Sequence, residues 1–477
     1  LNRLTNLNTL LPSSGTNPQT KFLRHQFGYE NVSGQRTTTM LSSHSMSYSQ
    51  NDSPSALTYF THSYSYDANG NISSLSRLAD GQTSALSYQY DGLDQLIRVN
   101  DQEADITVLY SYDAGGNITS AKTYPYSLGE LSGSPLSEKS YSYASSGWKD
   151  LLINFNGDDI LYDEIGNPLQ YRDGMAFAWQ YGRQLASVSQ GSNAYTYSYD
   201  ASGVRLAKTI NGSSYNYIYD NGSLLYADTP LGGMTFIYDN DSVIGYKYNS
   251  SYYFYLKNLQ GDILGAVDAS GNLLYQYRYD AWGVPAVLDA QGNPISPDSA
   301  HIANANPLRY RGYFFDPETG FYYLLSRYYD PETGRFINAD KDTVLNMDYE
   351  NIVQYNLFAY CFNNPINMVD DGGYWPTWLK KAVAVVAVAA VVITATVVTV
   401  STFGAGSVAG VAMISATANM AIKTAEVATL QVKKGLNEGK NASQIAKDCA
   451  EAIYDNGRQI IGLTPATKAA GIGAQHI

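Results

Sequence analysis

A short word recurs along this chain and constrains its fold more than any other feature: Tyr-x-Tyr-Asp, two further residues, then Gly. It stands as Tyr64-Ser-Tyr66-Asp67-Ala-Asn-Gly70-Asn71-Ile72 and again as Tyr110-Ser-Tyr112-Asp113-Ala-Gly-Gly116-Asn117-Ile118. Related copies are Tyr88-Gln-Tyr90-Asp91-Gly92, Tyr162-Asp163 with Gly166-Asn167, Tyr197-Ser-Tyr199-Asp200 with Gly203, and Tyr217-Ile-Tyr219-Asp220 with Gly222. The Asp positions are first spaced by 24 and 22 residues, then irregularly where loops intervene. Two tyrosines separated by one residue fall on the same face of a strand. The Asp that follows can bond its own backbone two residues on and start a turn. The Gly-Asn pair tolerates positive φ and closes a hairpin. A return strand follows, as in Val204-Arg205-Leu206. One unit is therefore a strand, a turn and a return strand, which is marginal alone and must stack on its neighbours. The expected product is a long antiparallel sheet that winds on itself through about residue 370, with helices only beyond it.

The tyrosine stripe admits two readings, carbohydrate binding by ring stacking or a packing ladder along the sheet. Repetition at every unit, without regard to any one site, favours the ladder. Tyrosine outnumbers phenylalanine 43 to 14, and only 15% of residues are charged, which is a strand-and-turn composition. At 477 residues the chain is too long for one ordinary core. Residues 375–477 hold nine Lys or Arg against five Asp or Glu, whereas residues 1–374 hold 21 against 38. An acidic body argues against nucleic-acid contact by the β-region. The charge split is read as two segments with different surfaces rather than cargo held by opposite charge. Cys361 and Cys449 give no disulfide framework, and histidines at 25, 44, 62, 301 and 476 are scattered in sequence. No metal site and no cofactor is expected.

These units resemble the YD repeats of the Rhs (rearrangement hot spot) family, which includes bacterial polymorphic toxins and the C subunits of Tc toxin complexes, with the repeat shared by teneurins. Gly261-Asp262 through Tyr275-Gln-Tyr277-Arg-Tyr279-Asp280-Ala-Trp282-Gly283 resembles the family's last repeat. Asn306-Pro-Leu-Arg309-Tyr310-Arg311-Gly312-Tyr313, Asp316-Pro-Glu-Thr-Gly320 and Tyr322-Tyr323-Leu-Leu-Ser-Arg327-Tyr328-Tyr329-Asp330-Pro331-Glu-Thr-Gly334-Arg335-Phe336 resemble its associated core domain. The resemblance implies a mainly β fold, a spiral antiparallel shell or cocoon plugged by the core, with a small helical C-terminal tail. Degenerate repeats are expected at 1–54, the shell at 55–300, the core at 301–374, a hydrophobic segment at 375–422 and a variable tail at 423–477. A first residue other than Met, and fewer repeats than a full shell needs, make a longer open reading frame the expectation.

In that family the core resembles an aspartyl protease that cuts its own chain once. Such chemistry needs two close carboxylates, one kept protonated while the other activates water. Carried over residue by residue, the resemblance assigns Arg327, Asp340 and Asp370, with cutting between Tyr374 and Trp375. Asp371 stands where the family signal has Pro, and Tyr374 where it has Leu. The reading without the resemblance is that these aspartates are turn residues.

No charged residue occurs from Ala382 to Ile422, and Ala382–Phe403 is long enough to span a bilayer. Membrane contact through 382–422 and a packed hydrophobic helix both remain open. The tail shows no nucleophile–base pair, metal cluster or phosphate loop. The main functional expectation is a secreted or cell-surface bacterial shell that encapsulates its own C-terminal effector and frees it by self-cleavage, with an immunity protein as a further partner. The rival is a wall-associated adhesion or carbohydrate-binding repeat protein whose tail is an anchor.

Overall fold

The structure, a computed structural model, describes residues 4–11, 21–32, 36–50, 57–79, 81–220, 222–239, 242–340, 352–370, 372–373 and 377–378. All of these but Leu4 belong to one compact unit, Thr5–Lys381. Residues 382–477, with the apolar stretch and the tail, lie outside the described residues.

Within this unit the strands run in strict sequence order. One 12-stranded antiparallel sheet leads from Asn6–Leu11 to Asp158–Asp159, and a 14-stranded sheet follows from Leu161–Tyr162 to Pro285–Asp289. The repeat explains the order, because each unit ends where its return strand begins. Asp67 Oδ1 accepts from the backbone nitrogens of Asn69 and Asn71, both at 2.9 Å. Asp67 Oδ2 accepts from Asn71 Nδ2 at 3.1 Å. Gly70 takes φ +86°, which an L side chain rarely adopts. Asp113 builds the same turn with Gly115 and Asn117, and Asp163 with Ile165 and Asn167. At 258–262 the two residues trade places, with Asn258 at the head of the turn and Asp262 at its end.

The two tyrosines of a unit have separate tasks. The first is buried at Tyr64, Tyr88, Tyr197 and Tyr277 and half-buried at Tyr110 and Tyr141. In most units the second reaches back with its hydroxyl to a backbone carbonyl of the preceding unit, while the Tyr219 hydroxyl meets no partner among the described residues. Tyr66 donates to Leu41 O at 2.7 Å, Tyr90 to Ile72 O at 2.8 Å, Tyr112 to Leu96 O at 2.6 Å and Tyr143 to Ile118 O at 2.8 Å. Tyr199, Tyr238 and Tyr279 repeat this stitch in the second sheet. The stripe is thus a packing and hydrogen-bonding ladder. The start of the first sheet also meets the end of the second: Leu11, Leu23, Met46 and Phe60 pack with Phe254, Leu256 and Val267.

The core segment retraces the repeats in reverse. Arg311 pairs with Asp262 at 3.3 Å, Asp316 with Arg205, and Asp330 with Arg172 at 2.8 Å. Arg335 Nη1 donates to Asn117 Oδ1 and Tyr143 Oη, both at 2.9 Å. Asn363 then reaches Gln95 at 2.8 Å. Asn364 reaches Asn71 at 3.0 Å, and Asn367 accepts from Ile72 N at 2.8 Å. Both sheets are therefore tied to one plug. The expectation of helices only beyond residue 370 is corrected by one helical turn, Ile302–Ala305, where the His301 side chain accepts from Ala303 N at 3.1 Å. A free imidazole nitrogen can cap a helix start as Ser or Asp does.

Candidate active site

The core folds into four short strands, Phe314–Asp316, Phe321–Tyr323, Tyr328–Asp330 and Arg335–Phe336. Between the second and third the chain reverses at Leu325, whose φ is +59°. Tyr322 lies opposite Tyr329 and Tyr323 opposite Tyr328, so the turn presents Ser326 and Arg327 together. Asp340 follows the fourth strand and is held by its backbone nitrogen on Leu357 O at 3.0 Å. Asp370 follows Met368–Val369, and its backbone nitrogen donates to Tyr313 Oη at 3.0 Å.

The structure brings Arg327, Asp340 and Asp370 together from three parts of the segment. Arg327 Nη2 stands 2.9 Å from Asp340 Oδ2 and 3.5 Å from Asp370 Oδ2. All three are buried, at 5%, 4% and 1% exposure. The guanidinium lies 3.5 Å from the centre of the Phe336 ring, and its Nη1 donates to Leu357 O at 3.0 Å. Its Nε donates to the carbonyl of Gly373, the residue just before Tyr374. Ser326 Oγ lies 2.7 Å from Gly372 O and 2.9 Å from Gly373 O. Beyond this point Thr377–Trp378 returns to pair with Met368–Val369. Asp371, Tyr374 and Trp375 themselves lie outside the described residues.

Such a cluster sets two buried carboxylates on one guanidinium, whose charge offsets part of theirs. It can also fix a backbone carbonyl beside that pair. Sequence reasoning assigned no role to Ser326 and Tyr313, although each lies within a quoted motif. It also missed what the doubled Asp-Pro-Glu-Thr-Gly does. Asp316 and Asp330 head those two turns and anchor the core to shell cations. Arg205 is fully buried and ringed by Tyr197, Tyr217, Phe314, Tyr323 and Tyr328. Lys208 reaches Asp316 at 2.8 Å and Glu318 at 2.7 Å. Burial pushes the Asp316 carboxyl up, but Arg205 and Lys208 outweigh it and hold the group below its ordinary value. Glu318 is raised, chiefly by burial. Among the described residues no group of three His, Cys, Asp or Glu is arranged to hold a metal, and no helix is long and apolar enough to cross a membrane.

Two sequential sheets of Tyr-Asp hairpins, closed on a core that carries an Arg–Asp–Asp cluster, define an Rhs/YD-repeat shell protein. The family model described as the teneurin YD-shell matches residues 36–366, and the chain belongs to that family. It is 36% identical over 245 residues to the tRNA3(Ser)-specific nuclease WapA of Bacillus spizizenii, covering 50% of this chain and 10% of that protein. It is 24% identical over 376 residues to the toxin subunit YenC1 of Yersinia entomophaga, covering 67% of this chain and 37% of that one. Its fold is similar to part of the Photorhabdus luminescens Tc holotoxin pore, with a TM-score of 0.57 at 18% identity, covering 78% of this chain and 19% of the other. The chain spans about a tenth of the length of the WapA relative.

Proposed function

We propose that this chain is the shell and plug of a bacterial toxin-delivery protein, and that its core cuts the chain once, between Tyr374 and Trp375, to separate the shell from a C-terminal effector. The observation that carries the reading is the double duty of Arg327. One end of its guanidinium sits between Asp340 and Asp370 while the other holds the carbonyl of Gly373. The reacting carboxylates and the chain to be cut thus share one anchor, which supports a positioned intramolecular reaction.

In the proposed step the Asp340 carboxylate takes a proton from water as the water oxygen bonds to the carbonyl carbon of Tyr374. Asp370, carrying the shared proton, gives it to the nitrogen of Trp375 as the carbon–nitrogen bond breaks. The products are a carboxyl group at Tyr374 and an amine at Trp375, and the aspartate pair again holds one proton, now on Asp340. Arg327 and Ser326 hold the preceding residues and take no proton. The core anchors Asp316, Asp330, Arg335 and Asn367 all precede the cut, so cutting would leave the plug in the shell.

Relatives that include a toxin subunit and a nuclease support the delivery reading for the whole protein. On this reading the protein acts outside the cell that makes it, residues 375–477 are the effector or its leading part, and an immunity protein guards the producer. Contact of 382–422 with membrane belongs to the same proposal. The test is a denaturing gel of protein purified by gel filtration. Wild type should give two bands that co-elute as one particle, and Asp370→Asn a single band at the same elution volume. A single band for both would remove the self-cutting step.

A further inference from the structure

Three histidines far apart in sequence lie side by side in the first sheet. Strands Lys21–Val32, Arg36–Gln50 and Leu57–Tyr66 are consecutive neighbours, with Phe27 opposite His44 and His44 opposite His62. His25 Nδ1 and His44 Nε2 are 3.0 Å apart, and their rings stack at 5.2 Å with planes 7° apart. Phe27 stacks on His44 at 5.0 Å, and Phe60 sits 4.5 Å from His62. His44 and His62 are buried, at 1% and 3% exposure. Among the described residues, His44 Nδ1 and His62 Nε2 meet no hydrogen-bond partner.

The position of this ladder matters. Along their strands, His25, His44 and His62 each stand two residues from Leu23, Met46 and Phe60, the row that packs on Phe254, Leu256 and Val267 of the second sheet. Two residues beyond His62, Tyr64 joins the cluster that contains Ile366 of the core. The ladder thus lies between the sheet-to-sheet seam and the plug. The charges facing it are cationic. Arg77, itself paired with Glu103 at 3.4 Å, is opposite His62 in the next strand. Lys257, held by Ser242 Oγ at 2.9 Å and Val243 O at 3.1 Å and facing Asp262, acts on His25. The Tyr64 hydroxyl is 3.4 Å from His62 Nδ1. A proton on His44 or His62 would therefore enter an apolar stack beside like charge, with no carboxylate among the described residues in contact to receive it.

We propose that the His25–His44–His62 ladder is an acid-sensitive latch on the seam between the two sheets, closed while its rings are neutral and released when they are protonated. Burial, then the charge of Lys257, pushes His25 down to about 4. Burial, then Arg77, pushes His62 down to about 3. Burial and its two neighbouring histidines hold His44 well below its ordinary value. Opened rings regain an ordinary pKa of about 6.5. The open state therefore binds more protons below that pH, and the closed state is progressively lost from about pH 6.5 down to the depressed values. Each histidine that gains water raises the opening constant about tenfold per pH unit in that window.

The test is hydrogen exchange of the full chain at pH 7 and pH 5, corrected for the intrinsic rate. Protection of Leu57–Tyr66 and Ser251–Lys257 should fall at pH 5 by about tenfold or more, while Phe321–Tyr323 and Tyr328–Asp330 keep theirs. In a His25→Phe/His44→Phe/His62→Phe variant, which continues the aromatic stack without a titrating ring, the fall should largely vanish. Seam protection that is unchanged at pH 5 in wild type, or that falls equally in the variant, overturns the proposal. If the variant does not fold, exchange of the imidazole carbon-bound hydrogens in wild type decides. Midpoints below about 5 for His44 and His62 uphold the latch, and midpoints near about 6.5 overturn it.

Discussion

Replacing Asp316 by Asn should loosen the plug more than any single change on the outer surface. Asp316 is fully buried and accepts from two cations of the shell, Arg205 at 3.1 Å through Nη2 and Lys208 at 2.8 Å. The amide keeps the shape but loses the charge, which leaves a fully buried guanidinium without a carboxylate partner and leaves Lys208 with only Glu318 as its anion. Breaking one partner of a buried pair costs about 3–5 kcal/mol, because the surviving charge is uncompensated. Taking about 2 °C per kcal/mol for a chain of this size, the melting temperature should fall by roughly 6–10 °C. The double variant Arg205→Met/Asp316→Asn should recover part of that loss, since it removes the stranded charge. The pH dependence follows from the depressed carboxyl. Its stabilisation is fully present above its ordinary value of 3.8 and is lost as pH falls through the lower folded value. The gap between wild type and Asp316→Asn should thus be constant from pH 7 to pH 5 and close only in stronger acid. The assay is thermal melting by circular dichroism across pH. A loss within 1–2 °C, on the order of one surface pair, would refute the lock, as would a double variant whose loss equals the sum of the singles.

Tyr112→Phe removes the 2.6 Å bond to Leu96 O and should cost about 1 kcal/mol in urea unfolding, with no change in secondary structure. Asp113→Ala removes three turn hydrogen bonds at once and should cost more than Tyr112→Phe in the same measurement. Gly373→Ala should block self-cutting on a denaturing gel, since φ is +72° and a Cβ would lie 2.8 Å from Leu324 O. Ser326→Ala should slow cutting while leaving the melting temperature within about 1 °C, and Ser326→Thr should restore it, because the hydroxyl positions the chain without moving a proton.

The repeat made the fold legible because its meaning is local. Asp67, Gly70 and Asn71 bond one another within five residues, so the turn can be read without the rest of the chain. The same holds for Tyr66 as a strand residue, but not for its stitch to Leu41 O, which depends on the register between units. Arg327, Asp340 and Asp370 were legible only through a family motif, since spacings of 13 and 30 residues do not reveal a shared pocket. Ser326 escaped notice because a turn serine is usually a solvated one. The histidines read as scattered because residues 25, 44 and 62 share no sequence period. Hairpins of unequal length set His44 opposite His62 and bring His25 diagonally beside them. The helical turn at Ile302–Ala305 was missed for a related reason, since four residues carry too little periodicity to be seen.

The central claim is that a buried Arg–Asp–Asp cluster in the plug cuts the chain that passes it. The most direct measurement is intact mass of the purified wild-type protein beside Asp340→Asn, with the new amino terminus sequenced. Wild type should resolve into two pieces whose masses sum to the whole plus one water, the second beginning at Trp375. Asp340→Asn, nearly the same size but without the base, should remain one chain. A wild-type chain that stays whole, a cut at another bond, or equal cutting in Asp340→Asn would contradict the account.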